Sequence, residues 1–158
     1  MRIFLVLMIA LWPTLATAAG LFVSDTVTKK TYTVSGKTIS EIKAEMKRKG
    51  PKGYWAFAKT DWKWDGRCKM RYKAVITFPK LRNRNALSVS DLARWDKMTA
   101  ALWDHEMQHV VIGRNWAAAI KKANCDKAAV NRINKRHKGN DAAFDRRTDH
   151  GRREGVHF

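Results

Sequence analysis

Leu102-Trp103-Asp104-His105-Glu106-Met107-Gln108-His109 lies inside a long amphipathic run, and reading it as helix decides how the second half of the chain folds. From Leu92 the apolar residues fall at Trp95, Met98, Leu102, Met107 and Val110, mostly three or four apart, which is the spacing of one helix face. Ahead of them, Ser88-Val89-Ser90-Asp91 offers an N-cap and an acidic first turn. On such a helix His105 and His109 lie one above the other. Two imidazoles so placed reach a single metal ion, and Zn²⁺ is the usual occupant. Glu106 is offset by about 100° around the helix, close to the ion but poorly placed to ligate it beside both histidines. It is the candidate general base. Zinc lowers the pKa of a water it holds from roughly 15.7 to about 7, and a neighbouring carboxylate can take the proton. The competing reading is a solvated helix face with two surface histidines, so the rest of the chain has to decide.

A catalytic zinc takes three protein ligands and a water. The extended metzincin motif requires Gly and His three and six residues after His109, where this chain has Ile112 and Asn115, which excludes that class. The remaining candidates are His137, Asp145, His150, Glu154 and His157. The polar tail Phe144-Asp145-Arg146-Arg147-Thr148-Asp149-His150-Gly151 can fold back beside the motif helix. His150 is the first choice as third ligand and Asp145 the second. A carboxylate on a ligating imidazole would fix its tautomer, a role open to Asp104, Asp145 or Asp149. Tyr54, Arg114 and Arg147 are candidates for stabilising an oxyanion.

The chain begins with a short positive end, an apolar run from Ile3 to Trp12, and Ala16-Thr17-Ala18, the pattern of a secretory signal peptide over residues 1–18. The run is too short to span a bilayer, and no later segment is apolar enough to do so. A secreted or periplasmic bacterial protein is expected. Cys68 and Cys125 are then the only pair of cysteines, in an oxidising compartment where a structural disulfide is the default. The charge is extreme: 32 Lys and Arg against 14 Asp and Glu, a net +18. For an exported protein the accessible polyanions are lipid head groups, lipopolysaccharide, wall polymers or acidic proteins. Two readings follow, that the charge binds anionic envelope polymers or that it only keeps the protein soluble; nucleic acid is not an expected partner.

Thr26 to Val34 is rich in β-branched residues and reads as a strand. Thr38-Ile39-Ser40-Glu41 fits a capping box that opens a short helix through Ile42 and Met46. The stretches Tyr54–Trp64 and Lys69–Phe78, joined at Asp65-Gly66, read as a hairpin with Tyr72, Ala74, Ile76 and Phe78 on one face. Trp62 and Trp64 are read as core cover more than as a binding platform. Gly113 marks helix or a kink, Asn124 a helix end, and further helix is expected from about Asp126 to Arg136 and after Asp141. The fold class is α+β: a small antiparallel sheet in the N-terminal half, packed on long helices in the C-terminal half. Residues 19–158 are enough for one domain.

Several features in order resemble the DUF922 group of predicted secreted zinc-dependent bacterial proteases. They are Tyr32-x-Val34-x-Gly36-x-Thr38, Met46 leading to Gly50-Pro51, the aromatics Trp62 and Trp64 with Cys68, Trp95, His105-Glu106-x-x-His109, and Asp145-x-x-Thr148-x-His150-Gly151. Trp62 and Trp64 stand closer together than the family pattern. The resemblance implies a single zincin-like metallopeptidase domain over residues 19–158. In it His105 and His109 bind zinc, Glu106 is the base that activates water, and Asp145 and His150 belong to the site. A protein or peptide is then the expected substrate. The alternative is a non-catalytic basic envelope protein that binds anionic polymers and keeps a structural metal site.

Overall fold

The computed structural model describes residues 22–158; the expected signal peptide, residues 1–18, lies outside them. The elements run β1 (Ser24–Val34), α1 (Ile39–Lys49), β2 (Phe57–Trp64), β3 (Met70–Leu81), α2 (Val89–Lys122), α3 (Lys127–His137) and α4 (Asn140–Thr148), with short 3₁₀ turns between some of them. The fold is α+β, with a three-stranded sheet in the order β1-β3-β2 and long helices after it.

Strand β3 is central, and its alternation matches the pattern of the sequence. Met70, Tyr72, Ala74, Ile76 and Phe78 are all buried on the face that meets α2. Strand β2 pairs with it antiparallel as a hairpin. The Asp65 carboxylate holds the turn by accepting from the backbone N–H of Arg67 and Lys69, at 3.0 and 2.9 Å. Strand β1 departs from expectation. It pairs parallel with β3, Ser24 opposite Arg71 through Val34 opposite Leu81, so the sheet is mixed. A parallel pair needs a long crossover, and α1 with β2 supplies it by returning the chain to the starting end of the sheet. No spacing within β1 itself could have told the two directions apart.

Helix α1 opens with the expected cap. Thr38 Oγ1 accepts from the Glu41 N–H at 3.2 Å, and the Glu41 carboxylate reaches back to the Lys37 N–H at 2.6 Å. Ile42 and Met46 are buried beneath it. Helix α2 is capped by Ser88 and runs unbroken through Gly113. The reason lies across the interface, where a Cβ on Gly113 would stand 2.7 to 2.9 Å from the Thr60 side chain. Glycine here lets helix and sheet approach closely; it does not bend the helix.

Three ties fix α2 against the sheet. The buried Tyr72 hydroxyl donates to the Val110 carbonyl at 2.7 Å, and Arg114 pairs with Asp25 of β1 at 2.8 Å. The Cys68–Cys125 disulfide joins the hairpin turn to the end of α2, closing a loop of 57 residues. Chain-entropy arguments give such a loop about 4 kcal/mol. No helix of the described residues is long and apolar enough to cross a membrane.

Candidate metal centre

The middle of α2 presents its two histidines where the regular helix puts them. Both are shielded, His105 almost completely. Phe144, from α4, fixes both rings: it stacks on His105 with centroids 4.9 Å apart and meets His109 edge-on at 5.1 Å. Helix α4 also brings Asp145 to the imidazoles. Its Oδ1 lies 3.3 Å from Nε2 of His105 and 3.1 Å from Nε2 of His109. The ligand atoms of His105, His109 and Asp145 all lie within 4.8 Å of one another, so the three can hold a metal ion.

The spacing suits a small tetrahedral ion. With bonds of about 2.0–2.1 Å, ligand atoms at tetrahedral angles are about 3.3 Å apart. The opposite ring nitrogens are also engaged. Nδ1 of His105 meets Glu154 Oε2 at 2.8 Å, and Nδ1 of His109 meets Asp141 Oδ1 at 3.1 Å. A carboxylate at Nδ1 can hold the proton there and leave the Nε2 lone pair for an ion, the arrangement that supports metal-ligating histidines. Two imidazoles and one carboxylate are a donor set typical of zinc.

Glu106 projects from the same helix turn toward the sheet, with the backbone N–H of Ala58 in β2 close enough to favour its charged form. It is nearly fully buried. Burial raises its pKa above the ordinary carboxylate value, against the lowering effect of His109, His105 and the Ala58 N–H. For His109 burial works downward, but Asp141, Asp145 and Glu106 prevail and the pKa is raised. All of these groups open onto one cavity of about 730 Å³. Its apolar wall includes Tyr54, Trp55, Phe57, Leu102 and Phe158.

The structure places the other candidates as follows. His150, the first choice for third ligand, is outside the group of three. It is 58% exposed, with Nδ1 3.7 Å from Asp145 Oδ2 and its ring beside Tyr54. The cause is local: α4 ends at Thr148, and Asp149, His150 and Gly151 all take positive φ, which turns the His150 ring toward the cavity mouth. Asp145, the second choice, is the residue that joins the imidazoles. His157 lines the cavity, and His137 stacks on Trp116 away from it. Glu154, a ligand candidate, instead orients His105. Neither Asp104 nor Asp149 orients an imidazole. Of the oxyanion candidates, Tyr54 lines the cavity, Arg114 is tied to Asp25, and Arg147 lies over Phe144. Sequence reasoning missed Asp141 and Phe144. Asp141 had a signal, since it precedes Asp145 by four residues and so shares its helix face. Phe144 had none.

The left-handed turn has a structural purpose. The Thr148 hydroxyl accepts from the Gly151 N–H at 3.3 Å, and the chain then doubles back so that Glu154 returns to His105. A Cβ on Gly151, whose φ is +82°, would lie 2.6 Å from Val156 Cγ2 and 3.1 Å from His105 Cγ.

Fold and site together define an α+β protein whose second half gathers a His-His-Asp group able to hold a metal ion, at the edge of a cavity. The chain belongs to the DUF922 family, described as a bacterial protein of unknown function, with residues 29–151 matched. No curated protein and no solved structure matches it.

Proposed function

We propose that the chain is an exported zinc-dependent metallopeptidase, with His105, His109 and Asp145 as metal ligands and Glu106 as general base. The observation that carries this reading is the placement of a buried carboxylate, Glu106, beside three convergent ligand atoms that face an open cavity. A structural zinc site is closed by four protein ligands, whereas a catalytic one has three and leaves a position free. The described residues gather three.

Zinc at this site would supply a Lewis acid and a water of lowered pKa. The protein's own part follows from its residues. Glu154 and Asp141 hold the imidazole protons on Nδ1. Glu106, raised by burial toward the working range of a general base, accepts a proton from water in the cavity and passes it to the leaving amine. The apolar wall around Tyr54, Trp55 and Phe57 excludes bulk water and receives substrate side chains. The disulfide and the signal-like N-terminal sequence support action outside the cytoplasm.

Glu106→Gln tests the proposal. Zinc content should stay at one per chain while hydrolysis of a fluorogenic peptide library falls by about 100-fold to 10,000-fold, the range for loss of a general acid–base group. A parent protein that binds zinc but cleaves no peptide in such a library would remove the peptidase reading and leave the metal site.

A further inference from the structure

Glu154 holds His105 from a segment with little regular structure of its own. It closes a 3₁₀ turn, Arg152–Glu154, bracketed by Gly151 at φ +82° and Gly155 at φ +99°. Glycine reaches many other conformations at little steric cost, so neither flank of the turn is fixed by its own backbone. The Glu154 side chain is 37% exposed, and His105 is its one ion-pair partner among the described residues. Three backbone bonds shape the turn. The N–H groups of Glu154 and Val156 both donate to the Gly151 carbonyl, at 2.9 and 3.0 Å, and that of Gly155 donates to the Arg152 carbonyl at 3.2 Å. Such bonds trade closely with bonds to water, so they do not anchor the segment by themselves.

The residues that follow the turn are anchored. Val156 is buried in the core. Phe158 packs against two tryptophans, its ring 5.7 Å from that of Trp55 and 6.3 Å from that of Trp95, within the range of favourable aromatic pairs. Both tryptophans are themselves held. Trp95 is buried on α2, roughly 15 Å along the helix from His105 at its rise of about 1.5 Å per residue. The Trp55 carbonyl accepts from the Tyr32 hydroxyl of β1 at 2.6 Å. The aromatic clamp thus ties this segment both to the helix that carries the imidazoles and to the sheet. We propose that Phe158 is a positioning residue for the candidate metal centre: clamped by Trp55 and Trp95, it keeps the Arg152–Glu154 turn closed and so holds the Glu154 carboxylate on Nδ1 of His105. Phe158 has no ligand atom and acts through Glu154. The consequence for zinc rests on the metal-site reading above; the clamp itself does not.

Two measurements on the mature chain test this. In the metal-free protein, amide hydrogen exchange followed by NMR should show Glu154, Gly155 and Val156 exchanging about tenfold faster in Phe158→Ala, relative to the α2 amides that report overall stability. Zinc affinity, by competition with a chromophoric chelator, should fall about 10-fold to 100-fold, the loss expected when the outer partner of a ligating histidine is disengaged. Phe158→Tyr, which keeps the ring in its slot, should hold both at the parent values. If Phe158→Ala does not fold, Phe158→Leu, which keeps apolar bulk without the aromatic pairing, takes its place. A double-mutant cycle with Glu154→Gln then decides the route. Acting through Glu154, the Phe158 substitution should cost almost no further zinc affinity in the Glu154→Gln background. Additive losses, an unchanged zinc affinity in the single Phe158 variant, or unchanged exchange in the turn would each overturn the proposal. A parent chain that binds no zinc would defeat the metal-site reading instead, and the exchange comparison would still decide the clamp.

Discussion

The two halves of the candidate metal centre are built by different means. His105, Glu106 and His109 are placed by one regular helix, whose pitch alone brings the two rings together. Asp145, Asp141 and Glu154 come from the last part of the chain, where a short helix ends in three successive residues of positive φ. The helix half rests on buried contacts with the sheet. The tail half depends on a strained turn and on ring stacking by Phe144. Binding residues can thus sit on a rigid element or on an irregular one, and the irregular one should be the easier to disturb.

The largest expected effect comes from the tail. Asp145→Ala should lower zinc affinity by at least about 1,000-fold, beyond the 10–100-fold usual for outer partners of a ligand. His150→Ala should leave one zinc per chain, by metal analysis of the purified protein. If the reverse were found, the third ligand would be His150, and the turn would have to reorganise around the ion.

Glu154→Gln sharpens the comparison further. The amide keeps the shape but no longer enforces one tautomer of His105, so zinc affinity should drop 10–100-fold with thermal unfolding of the metal-free protein little changed. Asp141→Asn should act in the same direction on His109.

Two glycines then separate stability from function. Gly113→Ala pushes a methyl against Thr60, and Gly151→Ala pushes one against Val156 and the His105 ring. Each should cost about 1–3 kcal/mol in denaturant unfolding, by overpacking and, for Gly151, by backbone strain as well. Only Gly151→Ala should also weaken zinc binding, because only there does the strain reach a ligand. Equal zinc affinities in the two variants would show that the turn is not coupled to the centre.

The smallest effect is electrostatic and lies on α1. The Lys49 ammonium, 2.6 Å from Glu45, holds the Glu45 carboxyl below its usual pKa, helped by the backbone N–H of Ser35. A depressed folded-state pKa adds stability above the unfolded value and loses it as pH falls through the folded one. Glu45→Gln should therefore flatten the acid side of the stability profile, by less than about 1 kcal/mol for so solvated a pair, with no effect on zinc.

How much of this was legible beforehand follows the same division. Periodicities of 3.6 and 2 are properties of neighbouring residues, so they located α2, its Ser88 cap, the Thr38 cap of α1 and the buried stripe of β3. The same local logic marked His105, Glu106 and His109, and the two cysteines in an expected oxidising setting marked their own bridge. The parallel direction of β1 was not legible, because it depends on where a crossover returns the chain. Nor was the role of Gly113, set by Thr60 on another element.

The sequence by itself determined the α+β class, the helix that carries His105, Glu106 and His109, the Cys68–Cys125 pair and a short set of tail residues able to complete the site. Tertiary structure alone chose among that set. It drew Asp145 to the imidazoles, assigned Glu154 and Asp141 to their far nitrogens and turned His150 to the cavity mouth. The physical reason is that a helix fixes neighbours four residues apart by its own hydrogen bonds. A ligand thirty-six residues from His109 is fixed only by packing and by a turn whose φ values no local pattern announces.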